Sequence, residues 1–113
     1  MKHTSESYDY YTSPLIETVQ IIVKGKKYGD RYANSMLLTN LSMGQVRIHF
    51  TQGKLDDEIN QNIGIICRKM GYKKAQMEVP TGTPCTRYAK LEYSDGVLDR
   101  YTVDLTQDVF REI

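Results

Sequence analysis

The sequence predicts an α+β domain in which one amphipathic helix packs on a mostly antiparallel sheet of five or six strands. Three observations lead there. A single stretch, roughly residues 54–70, carries apolar side chains at helical spacing and has helix signals at both ends. Several shorter stretches alternate apolar with polar residues, as half-buried strands do. The chain has 113 residues, enough for one core and too few for two. Its 40% hydrophobic and 26% charged content is that of a globular protein, which argues against wholesale disorder.

Residues 1–13 are polar and contain Tyr8, Tyr10 and Tyr11 but no aliphatic residue after Met1. Such a segment offers little to bury, so it reads as a flexible arm preceding a single domain over 14–113. From Leu15, the residues Val19, Ile21 and Val23 alternate with Ile16, Gln20 and Ile22, so both faces are partly apolar and the strand is expected inside the sheet. Gly25 to Asp30 reads as a turn. Residues 31–41 fit a helical stripe of Met36, Leu37 and Leu41 or a strand in which Asn34, Met36 and Leu38 alternate. Strand is the preferred reading. Val46, Ile48 and Phe50 then alternate with Arg47, His49 and Thr51 in a half-buried strand.

In the helix, Leu55, Ile59, Ile63, Ile66 and Met70 share an arc of roughly 80° at ~100° per residue. Asp56, Asp57 and Glu58 occupy the first turn and Arg68 with Lys69 the last, as the helix dipole favours. Gly71 follows where a left-handed residue ends helices. Gly64 falls on the opposite, polar side, where it either admits a close neighbour or merely weakens the helix. A strand follows over Ala75, Met77 and Val79 up to Pro80, then a loop to Pro84. The last third reads as a hairpin. A three-residue loop, Ser94-Asp95-Gly96, would set Tyr93 opposite Val97 and put Ala89, Leu91, Tyr93, Val97, Tyr101 and Val103 on one core face, broken only by Asp99. Thr106 is expected to cap a short turn bearing Val109, Phe110 and Ile113.

Fifteen basic and fourteen acidic residues leave a net charge of +1, without the basic excess of a protein that grips duplex DNA through its phosphates. No apolar run approaches the ~18 residues of a membrane span. The first residues lack the apolar stretch of a secretory signal, so a cytoplasmic protein is expected. Cys67 and Cys85 have no second ligand at metal or redox spacing, and the glycines form neither a Walker loop nor a dinucleotide fingerprint. Neither metal nor cofactor is expected. The consecutive carboxylates Asp56, Asp57 and Glu58 point ~100° apart on a helix and do not converge on an ion.

His49-Phe50-Thr51 resembles one half of the paired histidine-x-threonine pattern of certain phosphoesterases. Those enzymes use two imidazoles as base and acid, whereas the only other histidine here is His3, in the arm. The stronger signal is a pair of basic, tyrosine-bearing segments: Lys24, Lys26, Lys27, Tyr28 and Arg31, and then Arg68, Lys69, Tyr72, Lys73 and Lys74. With Tyr8, Tyr10 and Tyr11 they are candidates for contact with a partner, since cations reach phosphates and tyrosine rings supply contact area and stacking surfaces. Helix ends and turns also carry such charges merely because they are solvated. The shortage of imidazole and thiolate groups favours a non-catalytic module that binds a macromolecule. Protein is preferred over nucleic acid as the partner, in the manner of an adaptor, structural subunit or inhibitor. An RNA- or single-strand-binding protein is the alternative. Self-association through a strand edge is a further expectation.

Overall fold

The computed structural model describes residues 2–13, 18–25, 34–53 and 56–111. Among them the chain runs β1 (Lys2–Thr4), β2 (Tyr8–Ser13), β3 (Thr18–Val23), β4 (Asn34–Ser42), β5 (Gln45–Gly53), α1 (Asp57–Lys69), β6 (Lys74–Pro80), β7 (Lys90–Ser94) and β8 (Leu98–Asp104), ending in a 3-10 turn, Asp108–Phe110. The eight strands form one sheet in the order β1-β2-β3-β4-β5-β6-β8-β7. All neighbours are antiparallel except β5 and β6, which α1 joins as a parallel pair. No helix among the described residues is long and apolar enough to cross a membrane. The domain is thus α+β with one helix on a mostly antiparallel sheet, but the sheet has eight strands rather than five or six.

The two additional strands come from the N-terminal segment, which is no free arm in this structure. Tyr10 is fully buried and Tyr8 nearly so. A tyrosine ring buries as much area as an aliphatic side chain provided its hydroxyl finds a partner. Both do: the Tyr8 hydroxyl donates to Asp56 Oδ2 at 2.8 Å, and that of Tyr10 lies 3.1 Å from Ser5 Oγ. The segment between the strands is tied to the helix as well. Ser5 Oγ and the Ser7 backbone N–H both donate to Glu58 Oε2, the latter at 2.7 Å. His3 is buried, with Nε2 donating to Asn62 Oδ1 at 2.8 Å and Nδ1 accepting from Lys69 Nζ at 3.2 Å.

The helix follows its expected signals. Asp56 is the N-cap and accepts the Ile59 N–H at 2.8 Å, while Gly71 lies beyond the other end at φ +95°. Ile59, Ile63 and Ile66 are buried on the sheet, each contributing about 1.5–3 kcal/mol of apolar burial. Leu55 lies outside the described residues, and Met70 is exposed. Gly64, on the supposedly polar side, is buried. A Cβ built there would stand 2.3 Å from the Phe110 ring. The C-terminal turn therefore seals a second side of the helix. Thr106 does not cap that turn; its N–H and hydroxyl both bond to Asp104 Oδ1, at 2.9 and 2.6 Å.

The hairpin register differs from the expectation. Ser94 opposes Asp99 and Tyr93 opposes Arg100, leaving residues 95–97 between the two strands. Asp95 Oδ1 accepts the backbone N–H groups of Val97 and Leu98 at 2.9 and 2.7 Å, a local loop that removes Val97 from the ladder. Gly96 does take positive φ, at +86°. Of the proposed hairpin face only Val103 is buried; Leu91, Tyr93 and Val97 are exposed. Residues 31–41 resolve as strand from Asn34 onward, and β3 is interior as expected; Leu15, Ile16 and the turn over 26–30 lie outside the described residues.

Two outcomes follow. Gly64→Ala, usually stabilising in a helix, should here cost ~1–3 kcal/mol in urea unfolding, because the buried Phe110 ring cannot move away. A gain in stability would show that the helix and the C-terminal turn are not packed this way. Partial burial pushes the Glu58 carboxyl up, but the bonds from Ser5 and Ser7 outweigh it and hold the group below the ordinary value of 4.5. A lowered folded value stabilises above 4.5, and the gain disappears as pH falls through the folded value. Wild type should thus exceed Glu58→Gln in stability near neutral pH by no more than about 1 kcal/mol, since the carboxylate is largely solvated. The gap should close on acidification. A gap that widens at low pH would contradict the assignment.

Candidate functional site

The parallel pair β5 and β6 is joined only at Gln45↔Lys74, Val46↔Ala75 and Arg47↔Gln76. Beyond that, β5 stays laddered to β4 as far as Gly53, and β6 to β8 as far as Pro80. The facing edges have no ladder between them among the described residues, so a wedge opens toward the C-terminal ends of both strands. The first turn of α1 stands over it. In open sheets such a crevice is where ligands usually bind, because helix N-termini and loops converge there.

On the β6 side, under the first turn of α1, lies a cleft of about 360 Å³. One wall is Asp56, Asp57 and Asn60 of the helix; the floor is Met77 and Val79 of β6; the far wall is the loop Thr83 to Arg87. Beneath it lies an apolar slot of about 20 Å³ that shares Asn60, Met77 and Thr86 with the cleft and ends on Phe110 and Tyr88. The floor follows from strand alternation: Ala75, Met77 and Val79 face the helix, while Gln76 and Glu78 face away.

The loop is held from several points. Gly82 adopts φ +88°, and Thr83 N–H donates to Pro80 O at 3.0 Å. Asp99 pins its base, Oδ1 accepting from the Thr81 hydroxyl at 3.0 Å and Oδ2 from Gly82 N–H at 3.3 Å. The Ser94 side chain, with Thr81 and Gly82, holds the Asp99 carboxyl below the usual carboxylate range. Asp99, an apparent blemish on a core face, is thus buried and structural. Further along, Tyr88 packs edge-on against Phe110 at 5.4 Å.

The charges in the cleft are unequal in their commitments. Asp56 is occupied by the Ile59 N–H and the Tyr8 hydroxyl. Asp57 is exposed, 3.9 Å from Arg87, whose guanidinium lies 5.0 Å from the centre of the Tyr88 ring. Cys85 is half-buried, and its thiol is pushed up by burial despite a backbone hydrogen bond from Thr86, so it is protonated at neutral pH and a poor nucleophile. Cys67, under the helix, is pushed up to about 12 by burial. The arrangement can bind and orient a molecule between an exposed carboxylate, a guanidinium and an apolar floor.

Among the described residues, none of the partner-binding candidates named from the sequence lines this cleft, although Asp56, Asp57 and Cys85, weighed there as metal or redox ligands, do. Tyr8 and Tyr10 present no ring to a partner, being buried; Tyr11 is half-buried with Lys2 above it at 5.7 Å. Lys24 is exposed at the end of β3, and Lys26, Lys27, Tyr28 and Arg31 lie outside the described residues. Arg68 donates to Gln107 O at 3.1 Å and, with Lys69 and Arg111, rims a shallow hollow over Ile65 and Phe110. Tyr72 packs against the core, Lys73 is exposed, and Lys74 pairs with Glu92 at 3.4 Å. His49 is exposed, 3.3 Å from Thr39 Oγ1, on the sheet face away from the helix, whereas His3 is bonded to the helix itself. Two imidazoles on opposite faces cannot share a substrate, which removes the phosphoesterase pattern. One signal for the cleft stood in the sequence: a βαβ unit followed by the loop from Pro80 to Arg87, with threonines, a cysteine and an arginine.

No protein-family model matches the chain, and no curated protein does. Among solved structures, a Bacillus subtilis acetyltransferase crystallised in complex with CoA is similar at 12% identity and a TM-score of 0.48, over 78% of this chain and 76% of that one. That neighbour is an enzyme, which runs against the expectation of a non-catalytic module, and that expectation is not kept. The shortage of imidazoles and thiolates was a weak ground for it, because catalysis by proximity and orientation needs neither. A likeness of this degree assigns no activity, substrate or cofactor to the chain.

A thiol reagent applied to the native protein at neutral pH should modify Cys85 slowly and leave Cys67 untouched until unfolding. The Cys85 rate should keep rising with pH past the ordinary thiol value of 9.0. Rapid neutral labelling of Cys85, or equal labelling of both thiols, would contradict the site as described.

Proposed function

We propose that the chain binds an elongated small molecule in the wedge between β5 and β6. The observation that carries this reading is the divergence of two parallel strands beneath a helix N-terminus. Beside it, between the helix, β6 and the 83–87 loop, is a cleft of about 360 Å³, within the range that small-molecule sites occupy, and the slot beneath reaches β5 at Ile48. The apolar part of the ligand lies on Met77 and Val79 and reaches the slot ending at Phe110. Its polar head sits between Asp57 and Arg87. A head group with both donor and acceptor character suits that pair, because it can satisfy the carboxylate and the guanidinium together. The facing backbone edges of β5 and β6 add donors and acceptors that an amide-bearing ligand can bridge as an extra strand would.

The experiment is a fragment screen by protein-observed NMR on wild type and on Val79→Trp, which fills the cleft floor from a half-buried position. Hits on wild type should shift the amides of Asn60, Met77, Val79 and the Thr83–Arg87 loop. The tryptophan variant should keep its fold and lose affinity by about tenfold or more. Hits that map elsewhere, or that bind the filled variant equally well, would remove the proposal.

A further inference from the structure

The sheet ends on one side at β7, and every residue of that strand is exposed. Leu91 and Tyr93 are each 50% exposed, and Val97 beside them 78%. The opposite edge is only the three-residue β1. A five-residue edge carrying apolar side chains is a template for another strand. The order of its charges states which one.

We infer that β7 pairs with β7 of a second copy, antiparallel, about a two-fold axis through Leu91. An antiparallel pair of identical strands is self-complementary, so its register is defined by the residue on the axis. Centring on Lys90 sets lysine against lysine, and centring on Glu92 sets glutamate against glutamate. Centring on Leu91 sets leucine against leucine and places Lys90 opposite Glu92 of the second copy, twice over. Centring on Tyr93 leaves Lys90 and Leu91 outside the paired residues. Registers centred on either side of Leu91 put it opposite a charge, and every register centred between residues mixes the two faces. Like charges directly opposed destabilise a strand pair and unlike charges stabilise it, so one register is favoured.

The surroundings agree. Lys90 has no ion-pair partner among the described residues. Glu92 is the extra residue of a bulge toward β8, and its carboxylate meets Lys74 at 3.4 Å in an exposed pair that a second cation can share. Charges flanking the one leucine also guard the edge against strands of other sequence. The same two residues thus exclude strangers and admit a copy.

The test is molecular mass in solution by light scattering and sedimentation over a range of concentration, with circular dichroism melts to confirm that each variant is folded. Wild type should show a concentration-dependent dimer. Lys90→Glu and Glu92→Lys alone should each weaken dimerisation by about tenfold. The double variant, with the charges exchanged, should restore it. Under mild oxidation Leu91→Cys should give an interchain disulfide, because a residue on the axis faces itself at ~4.5–5.5 Å between Cα atoms. Tyr93→Cys, displaced from the axis, should not. A monomer at all concentrations, a double variant as weak as the single ones, or equal cross-linking at both positions would overturn the inference.

Discussion

A helix of 13 residues is ~20 Å long and ~10 Å across, whereas eight strands at ~4.8 Å spacing span ~34 Å. A single helix cannot cover such a sheet laid flat. The chain meets this constraint by curling the sheet around the helix. Tyr8, Asp56, Ser5 and Glu58 bind the β1–β2 side to the helix, while the β6–β8 side touches the slot beneath it through Met77 and Val103. Strands near opposite ends of the sheet therefore share one helix. What lies past its reach is left bare, and β7 is that strand.

The wedge opens where two sets of ladders part. β5 is committed to β4 and β6 to β8 along their lengths, and the parallel ladder between them ends after Arg47 and Gln76. The opening is filled below by Phe110, whose ring occupies the volume that a side chain at position 64 would need. The N-terminal strands, the C-terminal turn and the Asp99-pinned loop all converge on the first two turns of α1. Asp57 remains the exposed carboxylate there, because Asp56 and Glu58 on either side are engaged by the N-terminal segment. On the outer face, Arg47 bonds the buried Gln76 and pairs with Glu78 at 2.8 Å, a partly buried cluster that satisfies its own polar groups.

Local chemistry accounts for what could be read early. Helix α1 was legible because its cap, dipole and apolar stripe act within a few residues of one another. β5 and β6 were legible because alternation is local, and so was the positive φ at Gly96. The N-terminal strands were misread because tyrosine was counted as a surface residue; Tyr8 and Tyr10 become core residues only when Asp56 and Ser5 arrive to take their hydroxyls. The β7–β8 register was misread because Asp95 offers its own carboxylate to the loop, a bond that competes with the ladder and leaves no mark in the alternation. Gly64 was ambiguous because helical periodicity records one buried face and is silent about a second.

The amino-acid sequence by itself determined the α+β class, the position and ends of the helix and most of the strands, since propensity, capping and period are short-range properties of the chain. Only the tertiary structure decided which edge is bare, where the parallel strands part and which carboxylate faces the cleft. Those outcomes depend on groups far apart in the chain, such as Asp57 and Arg87 or Gly64 and Phe110, meeting around one helix too narrow for its sheet.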